Sequence, residues 1–237
     1  MHKLLSLTFL LLFVTDPVNA QSEAAKLLES GKRKQEKGSV ESAIKDYNKA
    51  IELDKDLADA YYFRGNAWFD LEEFQQAIGD YSRLIQLKPD HKDAWFNRGN
   101  AYYELGNYEM AAADFTRSIA LDPAFADDWF NRGNVFYKQG RFEEALEDFN
   151  KGISLNGEYP DGYYDRANTL YNLERFDQAV VDYTKAIELQ GETFDYHFNR
   201  ALAYFSLEMD DKACADLARA KELGDPDAGE YIRELCK

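Results

Sequence analysis

The sequence has few of the residues on which most enzymes depend. Its 237 residues include three histidines and two cysteines, and the histidines are scattered at positions 2, 91 and 197. There is neither a Cys/His cluster at zinc spacing, nor a glycine-rich phosphate loop, nor a nucleophile elbow. The aspartates are spread out rather than gathered into a calcium loop. We therefore expect no enzymatic activity, no cofactor and no metal site.

Basic residues are also scarce. The chain has 28 lysines and arginines against 44 aspartates and glutamates, which gives a net charge of −16. Binding to a phosphate backbone needs clustered basic side chains, so this balance argues against a nucleic-acid-binding protein. The acidic surface favours a basic or neutral protein partner, or serves solubility alone.

Long hydrophobic runs are missing beyond the first twenty residues. Within residues 1–20, Lys3 precedes the 11-residue apolar run Leu4–Val14, and small residues follow at Val18 and Ala20. This order predicts a secretory signal peptide that is cut after Ala20. Eleven helical residues span about half of a ~30 Å hydrocarbon core, which argues against a membrane anchor. We expect a secreted or periplasmic protein with no stable membrane insertion after signal cleavage.

From Ala24 onward the sequence repeats itself every 34 residues. In the stretch Lys92–Phe125, Trp95 aligns with Trp129 one period later. Self-similarity at a fixed period is typical of stacked supersecondary units. The six predicted units, with positions numbered from the first residue of each, are 24–57, 58–91, 92–125, 126–159, 160–193 and 194–227.

Each unit has the pattern of two amphipathic helices joined by a turn. Apolar residues recur three and four positions apart, with Ala at position 20 and Leu at position 30 of every unit. The small alanine is expected to let the two helices approach closely. Glycine, or glutamate in its place, marks the turn near position 15. Residues 228–237 restart the pattern and are predicted to form a C-terminal capping helix.

The repeat resembles the tetratricopeptide repeat (TPR). The residues that carry the resemblance in the third unit are Trp95, Gly99, Tyr102, Ala111, Phe115 and Pro123. The resemblance implies an all-α fold, a right-handed α-solenoid of helix–turn–helix repeats. It also implies a scaffold for protein–protein interaction. Because no linker or charge run interrupts the period, we expect one solenoid rather than two domains.

Two charged series recur inside the packing pattern. Position 7 is arginine in every unit except the first, which has Ser30, and position 23 is aspartate in all six. Because arginine is missing only from the unit that has no predecessor, we expect each arginine to pair with the aspartate of the preceding unit. Pairing within a unit stays open. The arginines are Arg64, Arg98, Arg132, Arg166 and Arg200, and the aspartates are Asp46, Asp80, Asp114, Asp148, Asp182 and Asp216.

A polar series lies on the first helix of each unit, which lines the concave surface in the TPR family. Aspartate recurs at position 2, aromatic residues at position 5 and asparagine at positions 6 and 9, and positions 2 and 6 share one helix face. An asparagine side chain both donates and accepts hydrogen bonds, so a row of them can hold the main chain of an extended peptide. The candidate peptide-binding residues are Asp59, Tyr62, Asn66, Asp93, Phe96, Asn97, Asn100, Asp127, Phe130, Asn131, Asn134, Asp161, Tyr164, Asn168, Asp195 and Asn199.

The Asp and Asn series is similar to that of the repeat domain of O-GlcNAc transferase, which binds substrate peptides in this way. A structural explanation stays open, because aspartate at a helix start complements the dipole and asparagine is ordinary in these repeats. Repeats that clamp chaperone carboxylates carry Lys or Arg at positions 5 and 9, where only Lys32 is basic here. The leading hypothesis is a scaffold that binds a protein or peptide in its groove. The alternative is a structural subunit of an envelope or secreted assembly that uses its convex face or its ends.

Two further residue types have structural interpretations. Cys214 falls on the last second helix and Cys236 on the predicted capping helix, so in an oxidising compartment we expect a disulfide between them. Two buried thiols are the alternative. His197 replaces an aromatic residue at a packing position, which favours a core imidazole over a general base.

Overall fold

The computed structural model describes residues 17–190 and 193–236, and within these ranges the chain is all α-helical. Each predicted unit contains two helices joined by a short turn, which confirms the all-α repeat fold. The helices are α1 (Pro17–Glu36), α2 (Val40–Leu53), α3 (Ala58–Asp70), α4 (Phe74–Leu87), α5 (Lys92–Glu104), α6 (Tyr108–Leu121), α7 (Ala126–Lys138), α8 (Phe142–Leu155), α9 (Pro160–Asn172), α10 (Phe176–Gln190), α11 (Phe194–Ser206), α12 (Asp210–Glu222) and α13 (Ala228–Leu235).

The helices form two compact units, α1–α4 up to Pro89 and α5–α13 from Asp90 onward. A single uninterrupted solenoid with the repeat bounds given above stays a prediction. The signal peptide also stays a prediction: α1 runs from Pro17 past the proposed cleavage point after Ala20, and residues 1–16 lie outside the described part. Among the described helices, none is long and apolar enough to cross a membrane.

The turn between the two helices of a pair depends on one residue with a left-handed backbone. In the third pair this residue is Gly106 (φ 72°); its N–H bonds to the carbonyl of Tyr103, and the N–H of Asn107 bonds to that of Tyr102. This is the Schellman arrangement, which closes the helix end. Glutamate takes the same conformation in three pairs, at Glu72, Glu174 and Glu208. The predicted turn at position 15 is therefore confirmed in both its glycine and its glutamate form.

Small residues allow the paired helices to touch. The alanine at position 20 is fully buried in every unit, and an aromatic ring at position 24 lies against glycine at position 8 in the first four. In the fourth pair, a Cβ added to Gly133 would lie 2.8 Å from Cε1 of Phe149. The ring thus occupies the space that is free because glycine has no side chain. A larger residue at position 8 would overpack this contact.

The half-buried arginines pair with aspartates of their own helix pair, so the expected arginine–aspartate ladder between neighbouring units is wrong. Nε and Nη2 of Arg132 donate to Oδ2 and Oδ1 of Asp148 at 2.7 and 2.8 Å. The two residues are equally distant in sequence from the turn residue Gly140, so the helix hairpin brings them face to face. The same two-pronged contact joins Arg64 to Asp80, Arg98 to Asp114, Arg166 to Asp182 and Arg200 to Asp216.

The third arm of the guanidinium is the part that reaches the preceding pair. Nη1 of Arg132 donates to Oγ1 of Thr116 at 3.0 Å, and Nη1 of Arg166 donates to Oδ1 of Asn150 at 2.8 Å. Both acceptors are at position 25, and the last unit, which no arginine follows, has Ala218 there. The arginine therefore needs a preceding unit, as the sequence suggested, but its partner there is position 25. Equivalent bonds join Arg64 to Asn48 and Arg200 to Thr184.

Burial and ion pairing compete at these aspartates. Burial raises the pKa of Asp148 above its usual value, although the hydrogen bonds from Arg132 act to lower it. At Asp216 burial acts in the same direction, but hydrogen bonds from Arg200 and His197 outweigh it and lower the pKa. His197 is buried with Nδ1 3.0 Å from Asp216, which fits a core imidazole.

The C-terminal end is closed by a covalent link. The predicted disulfide between Cys214 of α12 and Cys236, which follows α13, is present, with the two Cα atoms 5.7 Å apart. Ala228 and Ile232 of α13 pack with buried Leu217 of α12. The short last helix is thus fixed both by apolar contact and by the disulfide.

Candidate functional site

The first helices of the pairs form the inner layer of the second unit. Helix α7 contacts α5 and α9, and α9 contacts α11, across the second helices that separate them in sequence. We call the solvent-facing side of α5, α7, α9 and α11 the groove face. It carries positions 2, 6, 9 and 13 of each unit, which lie on one side of a helix. The candidates Asp59, Tyr62 and Asn66 occupy the same positions on α3 of the first unit.

The five aspartates at position 2 are exposed and negative. Each is the second residue of its helix, where its charge complements the helix dipole. Some also bind neighbours: Asp59 accepts from Nζ of Lys88 at 3.0 Å, and Asp161 accepts from the hydroxyl of Tyr196 at 2.7 Å. The remaining members of the series are Asp93, Asp127 and Asp195.

The aromatic residues at position 5 are mostly used for packing. Phe130 is only 3% exposed, and its ring fills the space beside Gly152 and Gly162. It therefore cannot touch a ligand without rearrangement, and we leave it out of the site. Tyr164 is half-buried, with its ring centroid 4.9 Å from that of Tyr196. Tyr62 and Phe96 are half-buried too, in edge-on contact with Phe63 and Phe115.

The asparagines at positions 6 and 9 form two arrangements. In the first, the amides of neighbouring pairs meet: Nδ2 of Asn131 donates to Oδ1 of Asn100 at 3.1 Å. Asn134 is likewise hydrogen-bonded to Asp165, which takes position 6 of the next unit. In the second, the amide is held from below by its own pair, because the hydroxyl of Tyr183 donates to Oδ1 of Asn168 at 2.7 Å.

A single oxygen on the core ring separates the two arrangements. Position 24 is Tyr183 under Asn168, but it is Phe149 under Asn134 and Phe115 under Asn100. A phenylalanine offers no hydrogen bond, so the amide above it pairs across to the next helix pair instead. Asn66 of the first unit also accepts from the hydroxyl of the tyrosine at position 24 of its own pair, Tyr81, at 2.7 Å.

A cavity of about 220 Å³ opens on the groove face of the second unit. It brings together two predicted residues, Asn168 and Asn199, with several that sequence reasoning did not select. The full lining is Tyr137, Asn168, Tyr171, Asn172, Tyr183, Asn199 and Leu202. Of the missed residues, Asn172 carried the clearest signal, since position 13 is charged or serine in the other units.

The surroundings of this cavity are acidic and partly desolvated. Burial raises the pKa of Asp165 to about 6, and the nearby charge of Asp161 adds to the shift against the hydrogen bond from Asn134. Burial also raises the pKa of the Tyr164 hydroxyl, and the charges of Asp195 and Asp165 act in the same direction. The groove face near the cavity therefore favours a cationic guest over an anionic one. In the described ranges, no group of His, Cys, Asp and Glu side chains is arranged to hold a metal ion.

Comparison with protein families agrees with the helix-pair architecture. A model described as "TPR repeat" matches residues 31–72, 65–106, 99–140 and 133–174, and one described as "Tetratricopeptide repeat" matches residues 160–192. Together these matches cover more than half of the sequence. The chain belongs to the tetratricopeptide repeat family. No curated protein sequence matches this TPR chain.

Solved structures with the same fold share little of the sequence. The PilF protein of Pseudomonas aeruginosa is 21% identical with a TM-score of 0.74, and the match covers 91% of this chain and 99% of that one. YrrB, described as a TPR protein with an unusual peptide-binding site, is 22% identical with a TM-score of 0.70, covering 80% and 98%. MamA from Desulfovibrio magneticus is 21% identical with a TM-score of 0.69, covering 71% and 95%. At these identities the likeness concerns the fold alone.

Proposed function

We propose that this TPR chain is an exported scaffold that binds an extended peptide or protein segment along the groove face. The observation that carries the proposal is that groove-face side chains are hydrogen-bonded from one helix pair to the next, Asn131 to Asn100 and Asn134 to Asp165. Asn131 donates one N–H to Asn100, so its second N–H and its oxygen remain for a ligand. Neither group has another hydrogen bond in the part of the chain that the structure describes.

The spacing of these amides suits a peptide main chain. Packed helices lie about 8–10 Å apart, and an extended chain rises about 3.3 Å per residue. Each helix pair would therefore meet roughly every third residue of a bound segment, and an asparagine can serve both a peptide N–H and a carbonyl. YrrB, a protein of the same fold, is described as having a peptide-binding site.

Two features support export. The predicted signal peptide is one, and the disulfide between Cys214 and Cys236 is the other, because disulfides persist mainly in oxidising compartments. The exposed aspartates of position 2 support a basic or neutral partner over an acidic one, and the binding of a basic partner should weaken at high salt.

A second candidate function uses the opposite face, where the second helices lie. Val181 of α10 is 65% exposed, and a cavity of about 380 Å³ beside it is lined in part by Leu146 and Leu170. An exposed apolar side chain beside a cavity, here Val181, can serve as a contact in an assembly. This face would serve a structural subunit.

A peptide-display screen against the full, oxidised chain separates the two functions. Binding constants of the selected peptides are measured for the groove variant N131A/N199A and for the matched control Q178A/V181S on the opposite face. Losing two hydrogen bonds of about 1 kcal/mol each should weaken binding about tenfold or more in the groove variant and less than twofold in the control. The reverse pattern would favour the second candidate, and a screen that selects nothing would contradict peptide binding.

A further inference from the structure

We propose that the cavity between α9 and α11 is an arginine pocket, which binds the guanidinium of one arginine side chain in the bound segment. This inference rests on the proposed function, since it names the residue type that the groove selects. Its boundaries are the seven lining residues given above, all of them within the second unit.

The pocket offers hydrogen-bond acceptors rather than donors. Nδ2 of Asn172 donates to the hydroxyl oxygen of Tyr137 at 3.1 Å and to the carbonyl of Asn168 at 2.8 Å. Nδ2 of Asn199 donates to the hydroxyl oxygen of Tyr164 at 2.8 Å and to the carbonyl of Asp195 at 3.0 Å. A primary amide has two N–H groups, so both side chains have spent their donors.

What these two amides retain is their oxygens. Oδ1 of Asn172 and Oδ1 of Asn199 accept no hydrogen bond within residues 17–190 and 193–236. Oδ1 of Asn168 accepts from Tyr183 and keeps one lone pair. The hydrogen-bonding groups that remain unused in the pocket are amide oxygens. Such a pocket fits a ligand that has many donors and repels an anion.

The charges and the rings around the pocket favour a guanidinium. The charges of Asp165 of α9 and Asp195 of α11 act on the Tyr164 hydroxyl, to which Asn199 of the lining donates. The basic group that acts on Asp165 is Lys138 at the exposed end of α7. The lining also includes the rings of Tyr137 and Tyr171. A guanidinium is planar, carries five N–H donors and stacks on aromatic faces, whereas an ammonium group has three donors and a tighter hydration shell.

The test uses the pentapeptide acetyl-Gly-Gly-Arg-Gly-Gly-amide and the full, oxidised chain. Binding of the peptide to the chain is followed by NMR through the side-chain amide signals of Asn168, Asn172 and Asn199. We expect saturable shifts of these signals with a Kd on the order of 1 mM. The same peptide with citrulline, which is isosteric and neutral, should bind at least about tenfold more weakly, and the lysine peptide several-fold more weakly.

A charge substitution provides the second readout. N172D replaces the amide NH2, which donates to Tyr137, by a carboxylate oxygen that can accept from the Tyr137 hydroxyl instead. It adds a negative charge to the pocket and should tighten arginine-peptide binding about fivefold while leaving the citrulline peptide unchanged. N156D, an equal charge change at the exposed end of α8, should alter binding less than twofold.

Several results would overturn the pocket. In the titration, these are the absence of saturable shifts up to about 20 mM peptide and shifts confined to other residues. In the peptide comparison, they are equal binding of the arginine and citrulline peptides or of the arginine and lysine peptides. For N172D, it is arginine-peptide binding no tighter than that of the wild type. Failure of the peptide-display screen would contradict the proposed scaffold function, not the arginine pocket. The proposed scaffold function can hold for peptides that need no arginine, and the arginine peptide is measured without reference to that screen.

Discussion

The helix pairs α7–α8 and α9–α10 follow the same plan, yet they present different chemistry on the groove face. Both join an arginine to an aspartate across the hairpin, Arg132 to Asp148 and Arg166 to Asp182, with nearly equal distances. Both bury alanine at position 20. The features that the pairs share are the ones that hold two helices together and join them to the preceding pair.

The differences lie at two other buried positions. At position 24, Phe149 leaves the amide of Asn134 to pair with Asp165 of the next helix pair, whereas Tyr183 holds Asn168 from within. At position 3, α7 buries the carboxyl group of Asp128, whereas α9 has Gly162.

Glycine and aspartate at position 3 have different consequences for packing and for hydrogen bonding. Gly162 gives room to the ring of Phe130, which would lie 2.5 Å from an added Cβ. Asp128 is fully buried, accepts one hydrogen bond from Ser118 at 2.9 Å, and its Oδ1 has no partner among the described residues. The repeat therefore keeps its fold through a few shared contacts, while single buried substitutions change the chemistry that each pair presents.

The first prediction concerns the arginine–aspartate contact that both helix pairs share, and we expect it to have the largest effect on stability. Arg132→Leu should destabilise the chain by about 3–5 kcal/mol, because it leaves the buried carboxylate of Asp148 without a partner. Arg166→Leu should cost a similar amount if the two pairs use this contact equally. Urea unfolding followed by far-UV circular dichroism measures both.

A double substitution serves as the control for this prediction. R132L/D148L removes both charges and should recover most of the lost stability, since an apolar pair often replaces a buried ion pair at little cost. A stability loss in Arg132→Leu below about 1 kcal/mol would show that the contact is not needed for stability.

The second prediction concerns the buried carboxyl group at position 3, which α7 has and α9 lacks. Burial raises the pKa of Asp128 to about 6, from an ordinary value of 3.8, although Ser118 donates a hydrogen bond to it. The folded state therefore holds the proton more tightly than the unfolded state. The contribution is favourable below pH 4 and is lost as the pH rises through 6, by about 3 kcal/mol in all.

Asp128→Asn removes this titration and keeps the size of the side chain. We expect the variant to be about 3 kcal/mol more stable than the wild type at pH 8, with a gap that closes as the pH falls to about 4. Urea midpoints across this pH range give the measurement. Asp127→Asn, the exposed neighbour, should show no such pH-dependent gap, and an equal response of the two variants would contradict the assignment to Asp128.

Much of the fold could be predicted because it depends on periodicity. A period of 34 residues with alanine at position 20 determines two helices that touch, and the turn residue follows from its place between them. The disulfide between Cys214 and Cys236 could also be predicted, because both cysteines fall on the last elements of the chain.

The partners of side chains were harder to predict, because they depend on distances between helices that the period does not give. The arginine series was recognised, but its aspartate lies across the hairpin, and position 25 supplies the bond to the preceding pair. The orientation of Asn168 depends on the hydroxyl of Tyr183 underneath it. Asp128 could not be distinguished from the exposed Asp127 by composition, although position 3 is Ala60, Ala94 and Gly162 in three other units.

The smallest expected effect exchanges the core rings of the two helix pairs. Tyr183→Phe removes the hydroxyl that donates to Asn168 and should cost about 1 kcal/mol, because the half-buried amide oxygen loses its partner. Phe149→Tyr adds a hydroxyl below Asn134, whose oxygen can accept it, and should leave stability unchanged or raise it by up to about 1 kcal/mol. Urea midpoints and the side-chain amide signals of Asn134 and Asn168 measure both exchanges. If the two substitutions shift stability in the same direction by the same amount, the ring oxygen does not determine how the groove amide is held, and the contrast between the pairs must come from Asp165 instead.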